Sequence, residues 1–125
     1  MSKVSIVSSL TSVIKGDHIY RSDVTVDVEL ECQLEPENIH SIGRNAIKVM
    51  RGSNVIGHVP ESLAQKLAPL MRDGTIVRVV AKITGESRAA PEGMWTQGGG
   101  IEIPCKYKLH GLKTNKSLVR QTFTK

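Results

Sequence analysis

Four histidines, His18, His40, His58 and His110, and two cysteines, Cys32 and Cys105, are the side chains of this chain with the widest chemical reach. A zinc centre gathers such ligands as Cys-x-x-Cys pairs or histidines a few residues apart. Here they are scattered, and no such pair occurs, so no metal is expected. Nucleophilic catalysis finds no Gly-x-Ser-x-Gly elbow and no cysteine in a nucleophile context. Gly98-Gly99-Gly100 leads into a strand-like run with no lysine at phosphate-loop spacing, and no carboxylate cluster suggests two-metal hydrolysis. The expectation is a non-enzyme without cofactors. Its histidines then serve either as contacts to a ligand or as polar tips at the edge of a core. His58, in Ile56-Gly57-His58-Val59-Pro60, poses that choice most sharply.

Charge points toward a class of partner. Residues 1–62 carry six Lys/Arg against eight Asp/Glu, and residues 63–125 carry eleven against four, so the net +5 arises wholly in the second half. No acid follows Glu102, while Lys106, Lys108, Lys113, Lys116, Arg120 and Lys125 do. Such a flank suits phosphate backbones through counterion release, or else forms a solvated tail that aids solubility. Only Tyr20, Trp95, Tyr107 and Phe123 are aromatic, so base stacking has few platforms. Trp95 is either one of these, or a lid, or packed. No apolar run approaches a membrane span and no signal-peptide pattern opens the chain, which reads as an intracellular, soluble protein.

Short β elements must position these residues. Val4 to Ile14 is β-prone and ends at Gly16-Asp17. Val24, Val26, Val28, Leu30, Cys32 and Leu34 alternate with Asp27, Glu29, Glu31 and Gln33, which predicts a strand with one buried and one wet face, broken at Pro36. Ala46–Met50 and Asn54–Val59 form a predicted hairpin across Arg51-Gly52-Ser53. Pro60-Glu61 opens an amphipathic helix through Leu63, Ala64, Leu67, Leu70 and Met71, stopped at Asp73-Gly74 and kinked or divided by Pro69. Thr75–Gly85 is apolar enough for a central strand. Residues 86–100 form a Gly/Pro-rich loop long enough to carry function. Ile101, Ile103, Cys105, Tyr107 and Leu109 mark a last strand, in which Cys105, like Cys32, reads as a small buried thiol. The sum is a mainly β fold with one or two short helices, a small partly or fully closed barrel, since closure removes exposed edges.

Gly16, His18 and Tyr20, then Glu35-Pro36-Glu37-Asn38, then Asn45-Ala46-Ile47-Lys48-Val49, then Ile56-Gly57-His58-Val59-Pro60 stand in an order that resembles the HIRAN domain. The resemblance covers about Val13 to Gly111. It implies an OB-like barrel over residues 1–111 followed by a basic tail, residues 112–125. It further implies a pocket for the 3′ end of single-stranded DNA, a nuclear setting and DNA repair. Carried over position by position, His58 matches the histidine of the family's Val-Gly-His segment, Asn38 its Pro-x-Asn turn, and Asn45 and Lys48 its Asn-Ala-Ile-Lys run. His18 and Ile19 stand where end-binding members have arginine and tyrosine, with Tyr20 on the next aromatic. His40 and Ser41 stand for an aromatic and an aspartate, and two extra residues, Ile42 and Gly43, follow before Arg44.

The expected binding residues are therefore His18, Ile19, Tyr20, Asn38, His40, Ser41, Arg44 and His58, with Lys106 and Lys108 on phosphates. The alternative is a protein-interaction module on the same fold whose end pocket has degenerated. On that alternative Asn38 and Asn45 only cap turns and Tyr20 packs in the core.

Overall fold

The computed structural model describes residues 4–16, 26–34, 46–86, 88–89 and 101–123. Its strands are β1 (Val4–Gly16), β2 (Glu29–Leu34), β3 (Ile47–Arg51), β4 (Asn54–His58), β5 (Ile76–Ile83), β6 (Arg88–Ala89) and β7 (Ile101–Leu112). Helix α1 (Glu61–Arg72) links β4 to β5, and α2 (Lys116–Phe123) follows β7 through a 3-10 turn, Lys113–Asn115. All pairings are antiparallel. The order β1-β4-β3-β2-β5-β7 returns to β1 through a β1–β7 pairing, so six strands close a ring. This is the small OB-like barrel expected, although its two flanking strands are long. β1 and β7 pair along their whole length, from Val4 opposite Leu112 to Gly16 opposite Ile101.

The alternating face of β2 behaves as its sequence dictates over Glu29–Leu34, with Leu30 and Cys32 buried and Glu29 and Gln33 exposed. The strand is shorter than its pattern. Asp27 takes φ 74, which turns the backbone, and Val26 is left 48% exposed. Val24 lies outside the described residues. The β3–β4 hairpin turns on two residues, Gly52-Ser53, because Arg51 already pairs with Asn54. Gly52, at φ 61, accepts the left-handed conformation that such tight hairpins require.

Helix α1 is a single piece. Pro60 is its N-cap residue rather than part of the first turn, and its carbonyl accepts from Leu63 and Ala64 N–H. Pro69 does not divide the helix. It lies near the C-terminal end, where one lost N–H is tolerated, and its own carbonyl still receives Asp73 N–H at 3.1 Å. Ala64, Leu67 and Ala68 join the core.

β5 is central, flanked by β2 and β7. A register shift near its start leaves Val77 exposed, after which Val79, Ala81 and Ile83 point inward. The loop after β5 contributes β6, which pairs Arg88 and Ala89 with Glu102 and Ile101. Trp95 lies outside the described residues.

Tyr107 is the largest fully buried side chain, and its hydroxyl donates to the Val13 carbonyl at 2.6 Å, tying β7 to β1 through the interior. Cys32 and Cys105 are both free and buried. Burial pushes the Cys105 thiol up to about 11, and raises Cys32 and Tyr107 further still. The basic C-terminal stretch is more than a solvated tail. Its residues 113–123 fold as the 3-10 turn and α2, with Val119 fully buried in the core and Phe123 packed against it.

Candidate nucleic-acid interface

Strict alternation would send His58 into the barrel, because Ile56, two residues earlier, is buried there. A register shift in the β3–β4 hairpin changes this. Lys48 pairs with His58 and Val49 with Gly57, but Met50 pairs with Val55, so Ile56 is an extra residue on β4. The bulge re-aims the strand. Ile56 and Gly57 are both buried, and His58 stands outward beside Lys48. Val59 N–H donates to Ile47 O at 2.9 Å, which fixes the chain on the far side of His58.

The β1–β4 seam is equally specific. Among the described residues it is formed by one pair, Lys15 opposite His58. A Cβ on Gly57 would lie 2.6 Å from the Lys15 carbonyl oxygen and 2.7 Å from Ile14 Cγ2. Only glycine lets β1 approach this closely, which gives Ile56-Gly57-His58 a physical reason: bulge, close approach, outward imidazole.

Lys15 also pairs with Glu102 across β1–β7, so Lys48, His58, Lys15 and Glu102 form one cross-strand row over four strands, all on the outer face. Glu102 is only 6% exposed, and Lys15 Nζ donates to its Oε2. A buried carboxylate of this kind depends on its ion pair to offset the cost of leaving water. Lys15, which it holds, is in turn the cross-strand partner of His58.

The segments with the remaining expected residues leave the barrel close to this row but on opposite sides of it, since β1 and β2 cross it in opposite directions. Residues 17–25 leave it at Gly16, next to Lys15. Residues 35–45 leave at Leu34, which pairs with Ile47, and return at Ala46. His18, Ile19, Tyr20, Asn38, His40, Ser41, Arg44 and Asn45 themselves lie outside the described residues.

A family model for the HIRAN domain matches residues 5–97. The chain belongs to the HIRAN domain family. Among solved structures it is similar to the crystal structure of the HIRAN domain of human HLTF, at a TM-score of 0.71 and 20% identity, covering 98% of this chain and 94% of that one. At that identity the likeness concerns the fold, and it extends over β7, beyond the end of the family match. No curated protein matches the chain.

The two lysines expected on phosphates occupy a different part of the HIRAN barrel. Lys106 and Lys108 lie on the outer face of β7, roughly 13 and 20 Å along the strand from Glu102 at ~3.3 Å per residue. Lys108 Nζ is 3.7 Å from Glu29 Oε1. It belongs to a ladder in which β2 and its preceding turn supply acids and β5 and β7 supply bases. Arg78 Nε donates to Glu31 Oε1 at 2.7 Å, and Lys82 Nζ is 3.8 Å from Asp27 Oδ1. Lys106 is exposed and has no carboxylate within ion-pair reach among the described residues. His110 joins the same face, where burial and then Arg78 depress its pKa below the ordinary 6.5, so it is neutral at neutral pH.

The structure thus brings His58 together with Lys48, which the motif named, and with Lys15, which no motif did. Lys15 was legible only as an outward residue next to buried Ile14. Its place opposite His58 depends on a pairing between strands forty residues apart. Among the described residues no three His, Cys, Asp or Glu side chains gather as metal ligands, and no helix is long and apolar enough to cross a membrane.

Proposed function

We propose that this HIRAN domain is a non-enzymatic DNA-binding module that receives single-stranded DNA on the rim around His58. The outward row Lys48–His58–Lys15 is the observation that carries this reading. An imidazole whose cross-strand neighbours are Lys48 and Lys15, the latter held by Glu102, on a strand fixed by bulge and glycine, offers phosphate oxygens a preorganised site. His18, Ile19, Tyr20, Asn38, His40, Ser41 and Arg44 belong to the two segments that leave the barrel close to this row, and they complete the pocket in this proposal. Lys106 extends the backbone track, with Lys108 contributing less because Glu29 offsets its charge.

Recognition of a 3′ end is weaker in this chain than in HIRAN members with a full end pocket. A carboxylate accepts hydrogen bonds from a terminal hydroxyl more strongly than Ser41 can, and Ile19 offers no aromatic face, a loss of about 1–3 kcal/mol per stacked base. A nuclear role in DNA repair goes with this reading.

The test is a titration of labelled oligonucleotides at several salt concentrations, with free and blocked 3′ ends. The expected result is binding that weakens linearly in log salt, falls in His58→Ala and Lys48→Ala, and changes little on blocking the end. No binding at low salt would refute it.

A further inference from the structure

Away from the rim, β1 has an edge that the ring does not use. On the side opposite β7, its strand pairing among the described residues is the one contact of Lys15 with His58. Val7 is an extra residue in β1, since Ile6 pairs with His110 and Ser8 with Leu109, and on either side of this bulge alternate residues direct their N–H and C=O away from β7. A groove of about 520 Å³ runs along this edge, lined by Ile6, Val7, Ser8, Ser9 and Leu10 and by Lys116, Arg120 and Phe123 of α2. The bulge at Val7 interrupts the alternation of side chains, so residues of both faces border the groove along this stretch of edge. The α2 residues at positions 116, 120 and 123 share one helical face. Ile6 is 47% exposed, and Leu118 on the same helix is 51% exposed.

We propose that this groove takes an extended, acidic segment of a partner protein, which adds to β1 as a strand. The open edge supplies alternating donors and acceptors that match a peptide backbone. Ile6, Leu10 and Phe123 receive apolar side chains at every second position, and Lys116 faces the acidic ones. A nucleic-acid strand fits less well, because the carbonyls of the edge repel phosphates. A second copy of this chain would bring two sets of Lys116 and Arg120 together, at a cost in like-charge repulsion. The site lies apart from His58, so this inference does not depend on DNA binding.

The probe is a fluorescent peptide alternating glutamate with valine, titrated into the full chain by anisotropy. Amide shifts of Ile6 to Leu10 are followed in parallel by NMR. The expected result is saturable binding that perturbs those amides, and is lost with the basic valine–lysine peptide and with a version N-methylated on alternate backbone nitrogens. Lys116→Glu weakens it by about fivefold, while Lys48→Glu, at the distant rim, leaves it unchanged. Equal affinity for the N-methylated peptide would overturn strand addition. So would preferential perturbation of the same amides by an oligonucleotide, or concentration-dependent self-association through them. Full protection of those amides from exchange in the free chain would show the edge filled by another segment of the chain itself, and would also overturn it.

Discussion

Replacing Gly57 with alanine sets two effects of opposite sign against each other. In a strand conformation open to any residue, Gly→Ala reduces the freedom of the unfolded chain and stabilises by about 0.4–1 kcal/mol. Gly57 has no positive φ, so that gain would apply in full if there were room. There is none. The new Cβ would stand 2.6 Å from the Lys15 carbonyl oxygen, and that atom belongs to a backbone tied along its other edge to β7. Its second neighbour, Ile14 Cγ2 at 2.7 Å, sits on a fully buried side chain that cannot swing aside. Overpacking of this kind costs about 1–3 kcal/mol, and the close backbone contact favours the upper half of that range. The net expectation is a loss of roughly 1–2.5 kcal/mol, or a fall in Tm of about 4–12 °C for a domain of this size. Thermal and urea melts by circular dichroism measure it, with the imidazole signals of His58 recorded below the transition. Because the seam among the described residues is a single pair, those signals should shift even while the protein is folded. A variant as stable as the parent or more so, with His58 unmoved, would refute the argument that glycine is there for close approach.

Three further expectations follow from buried and outward charge. Cys32 and Cys105 should resist a thiol reagent at pH 8 until the protein unfolds, since both are buried and the Cys105 thiol is pushed up to about 11; rapid labelling of folded protein would contradict this. His110 has a depressed folded pKa, so between that value and the ordinary 6.5 the unfolded chain binds a proton that the native chain does not. Its contribution is therefore complete above 6.5 and lost as pH falls through the folded value, and His110→Gln should flatten the slope of unfolding free energy there. Glu102→Gln removes the countercharge of Lys15; oligonucleotide affinity should rise by about twofold to fivefold with a steeper salt dependence, while stability falls by about 1–3 kcal/mol.

Much of the barrel can be read from local pattern, and the places where it cannot have identifiable causes. The alternation of Leu30, Cys32 and Leu34 and the helical spacing of Ala64, Leu67 and Ala68 are properties of a few adjacent residues. By contrast, Val26 continues the apolar series but stands outside the strand, because Asp27 takes a left-handed conformation that its residue type permits without announcing. The outward aim of His58 depends on an extra residue in β4, visible only once Met50 is known to face Val55. Lys15 enters the site through long-range register, and Glu102 through burial that its polarity argues against. The helix α2 is eight residues long, too short for periodicity to stand out among so many lysines. For the motif Ile56-Gly57-His58 the structure supplies a physical cause, the bulge in β4 and the close approach of β1.

The full-length pairing of β1 with β7 separates the molecule into two poles. Gly16 meets Ile101 at the pole nearer Lys15 and His58, whereas Val4 meets Leu112 at the other, up to about 40 Å of strand away. The two ends of the barrel-forming chain therefore lie side by side, remote from the rim. A barrel tethered in that way can be joined to neighbouring sequence at both ends, or swung on a linker, with both junctions far along the strands from His58.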